Sequence, residues 1–291
     1  MESVPILYPD TWTEYELIDT GDGEKLERFN TVLTIRPDPR IIWKKSEPAT
    51  WKDAHALYRR HDETKGSWEK EENLPTPWLI HYRNLTMVLR PSAFKHVGIF
   101  PEQAVNWDWC TKQTDNKPLR ILNLFAYTGG ATLAAAAAGA HVTHVDSVKS
   151  TIAWARENAK LSGLDTKPVR WIEDDAYAFV LREGRRKAMY DALIMDPPRF
   201  GRGPKGQVWK LENDLPKMLA ACTSILSPNP AFILINAYTA DLSSIALGEL
   251  LADFTGRFDG RVDAGELALR QSRVERLLPS GIFARWTGIS Y

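Results

Sequence analysis

Four short stretches carry residue types that could bind or transform a ligand, and each follows an apolar run. The first is Asn123-Leu124-Phe125-Ala126-Tyr127-Thr128-Gly129-Gly130. Its adjacent glycines permit a tight turn and close approach of a ligand to bare backbone. It is not G-x-G-x-x-G and lacks the Lys-Ser/Thr of a phosphate-binding loop, so a diphosphate cofactor is disfavoured. The second is Asp146, about twenty residues on, a carboxylate able to accept hydrogen bonds from the vicinal hydroxyls of a ribose. The third is Asp174-Asp175, where one acid could accept from an adenine amino group. The fourth, Asp196-Pro197-Pro198-Arg199-Phe200, is the sharpest. Consecutive prolines fix φ, remove two amide donors and turn the chain out of a sheet, leaving the acid before them aimed at a ligand crevice.

Each feature also has a plainer reading. A glycine pair makes an ordinary strand-to-helix turn. Asp146 would serve as the cap of a helix beginning near Lys149, and Asp174 or Asp175 as the cap of the next one. A proline turn can be purely structural. What sets the plain readings back is that all four occur in chain order at the ends of successive apolar segments.

Those segments predict the positioning elements. Strands are expected over Leu119–Phe125, His141–Asp146, Val169–Ile172, Tyr190–Met195 and Ala231–Ala237. Helices are expected over Ala131–Ala138, Lys149–Ser162, Ala176–Arg186 and about Lys210–Leu226. Strands alternating with helices argue for a parallel sheet covered on both faces, with ligands beyond the carboxyl ends of the strands. Arg261–Leu269 and Ile282–Ile289 have no clear helix between them and read as an antiparallel hairpin at one edge. The region before residue 95 differs. Thr31–Arg36 alternates apolar and polar residues, and Trp78–Tyr82 and Leu85–Leu89 read as a hairpin around Arg83-Asn84. The expected organisation is a small mixed β-rich module over 1–95 on the substrate side, then the ligand-binding domain over 96–291.

With 44% hydrophobic and 25% charged residues, the chain can bury a sizeable core. Zero formal net charge removes any global pull toward nucleic acid or anionic membrane, so such a partner must be held by a local patch. Arg199, Arg202, Lys205 and Lys210, interleaved with Gly201, Gly203 and Gly206, are one candidate; a phosphate-contacting loop and a solvated lid both fit. Arg182, Arg185, Arg186 and Lys187 end a helix, where cations suit its dipole. Two cysteines, Cys110 and Cys222, suit a reducing compartment and no metal knuckle. No signal segment or membrane span is visible, so a cytoplasmic location is expected. Seven of the eleven tryptophans precede residue 110; core packing is the simpler account and a base-stacking platform the alternative.

The four stretches resemble those of the class I S-adenosylmethionine-dependent methyltransferases, in particular the large-subunit ribosomal RNA enzymes that make 5-methylcytosine or 7-methylguanine. The likeness covers roughly 75–291. It includes His96-Val97-Gly98-Ile99-Phe100-Pro101-Glu102-Gln103, similar to the segment before the first strand, and Leu278-Pro279-Ser280-Gly281-Ile282-Phe283, similar to the C-terminal hairpin. It implies a Rossmann-like, seven-stranded, doubly wound α/β sheet. By resemblance, Asp146 binds the cofactor ribose, Asp175 and Ala176 the adenine, and Tyr127–Gly129 the methionine end, while Asp196 and its prolines face the methyl group and the target base. The expected cofactor set is Phe125, Ala126, Tyr127, Thr128, Gly129, Asp146, Ser147, Asp174, Asp175, Ala176 and Asp196. The expected catalytic set is Asp196, Pro197, Pro198 and Phe200, with no metal. The chain departs from the 5-methylcytosine enzymes where they carry a nucleophilic cysteine: Asn236-Ala237-Tyr238-Thr239 stands there. A base of RNA, most simply ribosomal, is the expected substrate, without a cysteine adduct. A small-molecule or protein substrate, or a nonenzymatic binding role, remains the alternative.

Overall fold

In the computed structural model, which describes residues 4–62, 65–70, 74–92, 94–202, 206, 208–239 and 241–289, the chain forms two units. One consists of Met1–Leu7, Val105–Leu267 and Gly281–Tyr291; the other of Tyr8–Ala104 and Ala268–Ser280.

The chain begins with a two-residue strand, Ile6–Leu7 (β1). The second unit follows. Tyr15–Gly21 (β2), Glu24–Phe29 (β3), Val32–Pro37 (β4), Ala56–Arg60 (β5) and Gly66–Lys70 (β6) form a five-stranded sheet in that order. Trp78–Tyr82 (β7) and Leu85–Leu89 (β8) make the expected hairpin. Trp12, Tyr15, Phe29, Trp78 and Tyr82 form a chain of ring contacts 4.6–6.0 Å apart. Trp12, Trp51 and Trp78 are buried, and Trp43 and Trp68 use their indole N–H on Thr20 and on the carbonyls of Ser92 and Phe94. That is the packing account of the early tryptophans. Beside this aromatic core, buried Glu27 accepts from Arg36 through two bonds of 2.7 Å and from Tyr15 at 2.9 Å. Burial alone would push the Glu27 carboxyl up; Arg36 and Lys25 bring it below the ordinary value.

The first unit holds the large sheet. Its elements are Ala104–Thr114 (α1), Arg120–Leu124 (β9), Gly130–Ala137 (α2), His141–Asp146 (β10), Lys149–Leu161 (α3), Val169–Glu173 (β11), Ala176–Arg185 (α4) and Ala192–Met195 (β12). They continue with Phe200–Arg202 (β13), Val208–Lys210 (β14), Leu211–Cys222 (α5), Phe232–Ala237 (β15), Ser244–Thr255 (α6), Gly260–Arg270 (β16) and Leu277–Gly288 (β17). The sheet order is β1-β16-β17-β15-β12-β9-β10-β11. The expected seven strands are present, with β1 adding a two-residue edge parallel to β16. Strands β11, β10, β9, β12 and β15 run parallel, and β17 runs antiparallel to β15. The chain leaves β9 toward β10 on one side and later returns to its other side as β12, so β9 marks the switch in strand order.

The apolar runs follow from burial on both faces. Leu122, Leu193, Met195, Ile233 and Ile235 face α4, α5 and α6; Ile121, Ala192, Ile194, Phe232 and Leu234 face the opposite layer with Cys110, Ala135 and Ala136. Helices α1 and α6 were unassigned by the sequence reading. The stretch 199–210, read as a flexible loop, contains the paired strands β13 and β14.

In the second unit, Asp38 is buried and accepts from Arg40 Nε at 2.8 Å and Nη2 at 2.6 Å. Burial raises its pKa, but the Arg40 bonds with Lys25 and Lys95 nearby outweigh this and hold it at about 2. A depressed acid contributes stability above its unfolded value and loses it as pH falls through the folded one. Asp38→Asn is therefore expected to cost on the order of 1–2 kcal/mol above pH about 4, with the difference from wild type fading by pH about 2. Urea titrations from pH 2 to 6 check this; a difference independent of pH refutes it.

Candidate functional site

The four predicted stretches meet at the carboxyl rim of β9, β10, β11 and β12. Ala126 N donates to Val145 O at 3.0 Å, Asp174 N to Asp146 O at 3.0 Å, and Asp196 N to Leu124 O at 3.4 Å. Neighbouring strand ends are thus stitched together.

The loop after β9 is held in an expensive backbone conformation. Phe125 and Tyr127 have φ of 56° and 50°, and Gly129 has φ of 90°. A non-glycine residue there costs on the order of 1–3 kcal/mol and persists only where its surroundings over-determine it. Here they do. Asp146 Oδ2 accepts from Tyr127 N at 2.9 Å, Asn158 Nδ2 from α3 donates to Thr128 O at 3.0 Å, and Gly129 N bonds Ala126 O at 3.1 Å. The glycines answer separate constraints. Gly129 takes the left-handed turn, and a Cβ at Gly130 would sit 2.4 Å from the Trp107 ring.

The acids divide their work. Asp146 Oδ1 accepts from Val148 N at 3.0 Å while Oδ2 holds Tyr127 N, so one carboxylate ties β10 to the β9 loop. Burial raises its pKa, and the backbone donors of Val148, Tyr127 and Ser147 oppose that. An ionised carboxylate has about four acceptor positions, so Asp146 keeps capacity for a further donor such as a ligand hydroxyl. Asp175 is the N-cap of α4: its Oδ1 accepts from Ala178 N at 2.8 Å, and its second oxygen is not used in this cap. Asp174 accepts from its neighbour's amide and pairs with Arg182. An acid-lined rim of this kind suits a ribose and an amino group and repels a diphosphate.

The turn after β12 lacks two amide donors, and its carbonyls are engaged instead. Trp209 Nε1 donates to Pro198 O at 2.7 Å, and Leu211 N to Arg199 O at 3.0 Å. The Trp209 ring lies 5.1 Å from that of Phe125. Phe200 is 55% exposed and pairs across β13–β14 with Lys210. Arg199 pairs with Asp241 and lies 4.0 Å from Glu212. Gly203, Lys205 and the Arg202 side chain lie outside what is described. Trp209 was missed in the sequence reading; its signal was a lone tryptophan between a glycine-rich stretch and a helix start.

Both cysteines are fully buried, and burial pushes each thiol up to about 12. Asn236, where the nucleophile was sought, accepts from Asn106 Nδ2 at 2.8 Å, and Asn106 Oδ1 in turn accepts from Arg285 Nε at 3.1 Å. A cavity of about 540 Å³ opens at the opposite, amino-terminal strand ends, among Arg120, His141, Lys167, Arg170 and Glu183. Its carboxylate is consumed by Tyr190, Arg170 and Arg186, and no glycine turn reaches it, so it is not the ligand rim. Among the described residues there is no cluster of three or more metal-ligating side chains, and no helix is long and apolar enough to cross a membrane.

Residues 36–248 match the family model of S-adenosylmethionine-dependent methyltransferases. A crystal structure of an S-adenosylmethionine-dependent methyltransferase from Agrobacterium tumefaciens superposes with a TM-score of 0.92 at 40% identity, covering 97% of this chain and 93% of that one. A Streptococcus mutans structure shares the fold, with a TM-score of 0.74 at 18% identity over 96% of this chain and 76% of that one. The ribosomal RNA large subunit methyltransferase K/L of Shewanella frigidimarina is 35% identical over 236 residues, 80% of this chain and 30% of that protein. That of Chromohalobacter salexigens is 28% identical over 79% of this chain and 29% of that protein. The chain thus spans under a third of the length of these curated relatives.

Removing the Asp146 acceptors orphans two partly buried backbone donors. Asp146→Ala is expected to lower unfolding free energy by about 2 kcal/mol, and Asp146→Asn by less, because the amide keeps one acceptor oxygen. Denaturant titration of the three proteins decides it; equal stability of wild type and Asp146→Ala removes the structural role.

Proposed function

This chain belongs to the S-adenosylmethionine-dependent methyltransferases, and we propose that it methylates an RNA base at an atom carrying its own lone pair. The observation that carries the reading is the Asp196-Pro197-Pro198 turn, at the end of β12 and hydrogen-bonded to the end of β9, where the glycine loop begins.

The residues at the rim fit the cofactor. The remaining acceptor position of Asp146 would take a ribose hydroxyl, with Ser147 beside it. Asp175, through the oxygen not used in capping, and Ala176 at the start of α4 would bracket the adenine, with Asp174 held by Arg182 behind them. The Phe125–Gly129 backbone would receive the methionine end. When bound, S-adenosylmethionine supplies an electrophilic methyl on a sulfonium that departs as a neutral thioether. The chain has to hold the target atom in line, about 3 Å from that methyl, and exclude water. Asp196 would orient the base and accept a proton from a nitrogen that loses one. Pro197 and Pro198 stiffen the approach, and Phe200 offers a ring on which a base can stack.

Carbon methylation of cytosine needs a thiolate, and both thiols are buried and held near 12, which supports an atom that attacks directly. RNA is supported by the names of the relatives, and the exposed Phe200 beside Lys210 suits a base next to a phosphate. A small-molecule or protein substrate is the second reading; zero net charge and the pairing of Arg199 with Asp241 favour it.

Labelled S-adenosylmethionine offered with fractionated RNA, protein and metabolites separates the two. Label is expected in RNA, and Asp196→Ala should lose about 100-fold in turnover, a far larger loss than in S-adenosylhomocysteine affinity. Label confined to metabolites or protein refutes the RNA reading, and undiminished turnover in Asp196→Ala refutes the role of that acid.

A further inference from the structure

We propose that Trp209 is a positioning residue that couples the cofactor loop to the Asp196-Pro197-Pro198 turn, so that filling the loop orders the turn. This rests on the reading that the Phe125–Gly129 loop holds the cofactor and the turn receives the substrate.

The argument starts from what the turn lacks. Pro197 and Pro198 have no amide hydrogen, so the segment is fastened through its carbonyls. The indole N–H of Trp209 donates to Pro198 O at 2.7 Å, and Leu211 N donates to Arg199 O at 3.0 Å. The same indole meets the Phe125 ring, and both rings pack against the core over α4 and α5. Phe125 is one of the two non-glycine residues held at positive φ in the loop, so its geometry depends on what supports it. One side chain therefore touches both halves of the site.

The hairpin is built for this. Gly201 stands opposite Trp209, and a Cβ there would lie 3.4 Å from the Pro198 ring and 3.9 Å from the Trp209 Cβ, so proline and tryptophan share the inner face. Phe200, paired with Lys210, and Val208 on the neighbouring strand are exposed. A shift of the inner face therefore moves the exposed ring as well. The indole supplies both a ring that meets Phe125 and a donor for Pro198 O, which makes Trp209→Phe diagnostic: it keeps ring contact and deletes the tether.

The experiment compares wild type, Trp209→Phe and Trp209→Leu in full-length protein. S-adenosylhomocysteine affinity is measured by calorimetry, and tryptic cleavage after Arg199 is timed with and without that ligand. In wild type, S-adenosylhomocysteine is expected to slow cleavage about tenfold. In Trp209→Phe the affinity should stay within about twofold while most of the protection disappears, and kcat should fall about tenfold with the cofactor KM unchanged. Trp209→Leu should lose protection entirely. Equal protection in wild type and Trp209→Phe, no protection in wild type, or loss of affinity in step with a fall in melting temperature overturns the coupling. The protection assay needs no substrate, so failure of wild type to label RNA would sink the substrate assignment and leave this result standing on its own.

Discussion

One carboxylate sets the terms for the rest of the site. Asp146 closes β10 and takes amide hydrogens from two directions, Tyr127 in the preceding loop and Val148 at the start of α3. Without an acceptor at that point, Tyr127 would have no local reason to hold a left-handed backbone, and the loop could relax toward ordinary geometry. Burial opposes the charge on Asp146, yet three backbone donors make the ionised form tolerable. The acid that would read the ribose is thus the acid that shapes the loop. A ligand hydroxyl would enter a hydrogen-bonding pattern that exists before it arrives.

That pattern stands on a sheet with almost no polar choice. On β9 and β12 the alternate residues bury against opposite layers, so the register is pinned by apolar contact on both sides. Several polar side chains in the interior are linked into small groups. Asn123 donates to Thr132, which also meets His144, and burial keeps the His144 imidazole neutral by pushing its pKa to about 3. Asn106, Asn236 and Arg285 form a second such group. Rigid strands deliver the acids, and the strained loop supplies the bare backbone.

What could be read from the sequence was whatever depends on local pattern. The strand ends at Leu124, Asp146, Glu173 and Met195 fall within a residue or so of the expected ends, because period and turn residues mark them. The glycine pair and the double proline declare backbone constraints by residue type alone. Three things were hidden. The loop-tying role of Asp146 concerns which donor a carboxylate finds, and that is tertiary, whereas the Asp175 cap was one of the two readings its position offered. Helix α6 begins at the serine cap Ser243, whose Oγ accepts from Ala246 N, a signal shared with many turns. Trp209 carries no pattern of its own in the sequence, since a three-residue strand paired to another three-residue strand leaves almost no periodicity to detect.

The position of the cysteines bears on the chemistry more than their number does. A thiol that adds to a pyrimidine ring must be partly ionised and must reach the base. Cys222 sits within the apolar layer of α5 and Cys110 in the opposite layer, each closed off from solvent. Moving either into reach would mean unpacking a helix from the sheet. Asn236, at the rim end of β15, is held in a buried bond to Asn106 and has no nucleophilic lone pair of comparable strength. On the proposed reading the burden of reactivity falls on the substrate atom, and the protein's share is alignment. Alignment is what a proline-stiffened acid, clamped by an indole to a strained loop, is physically able to supply.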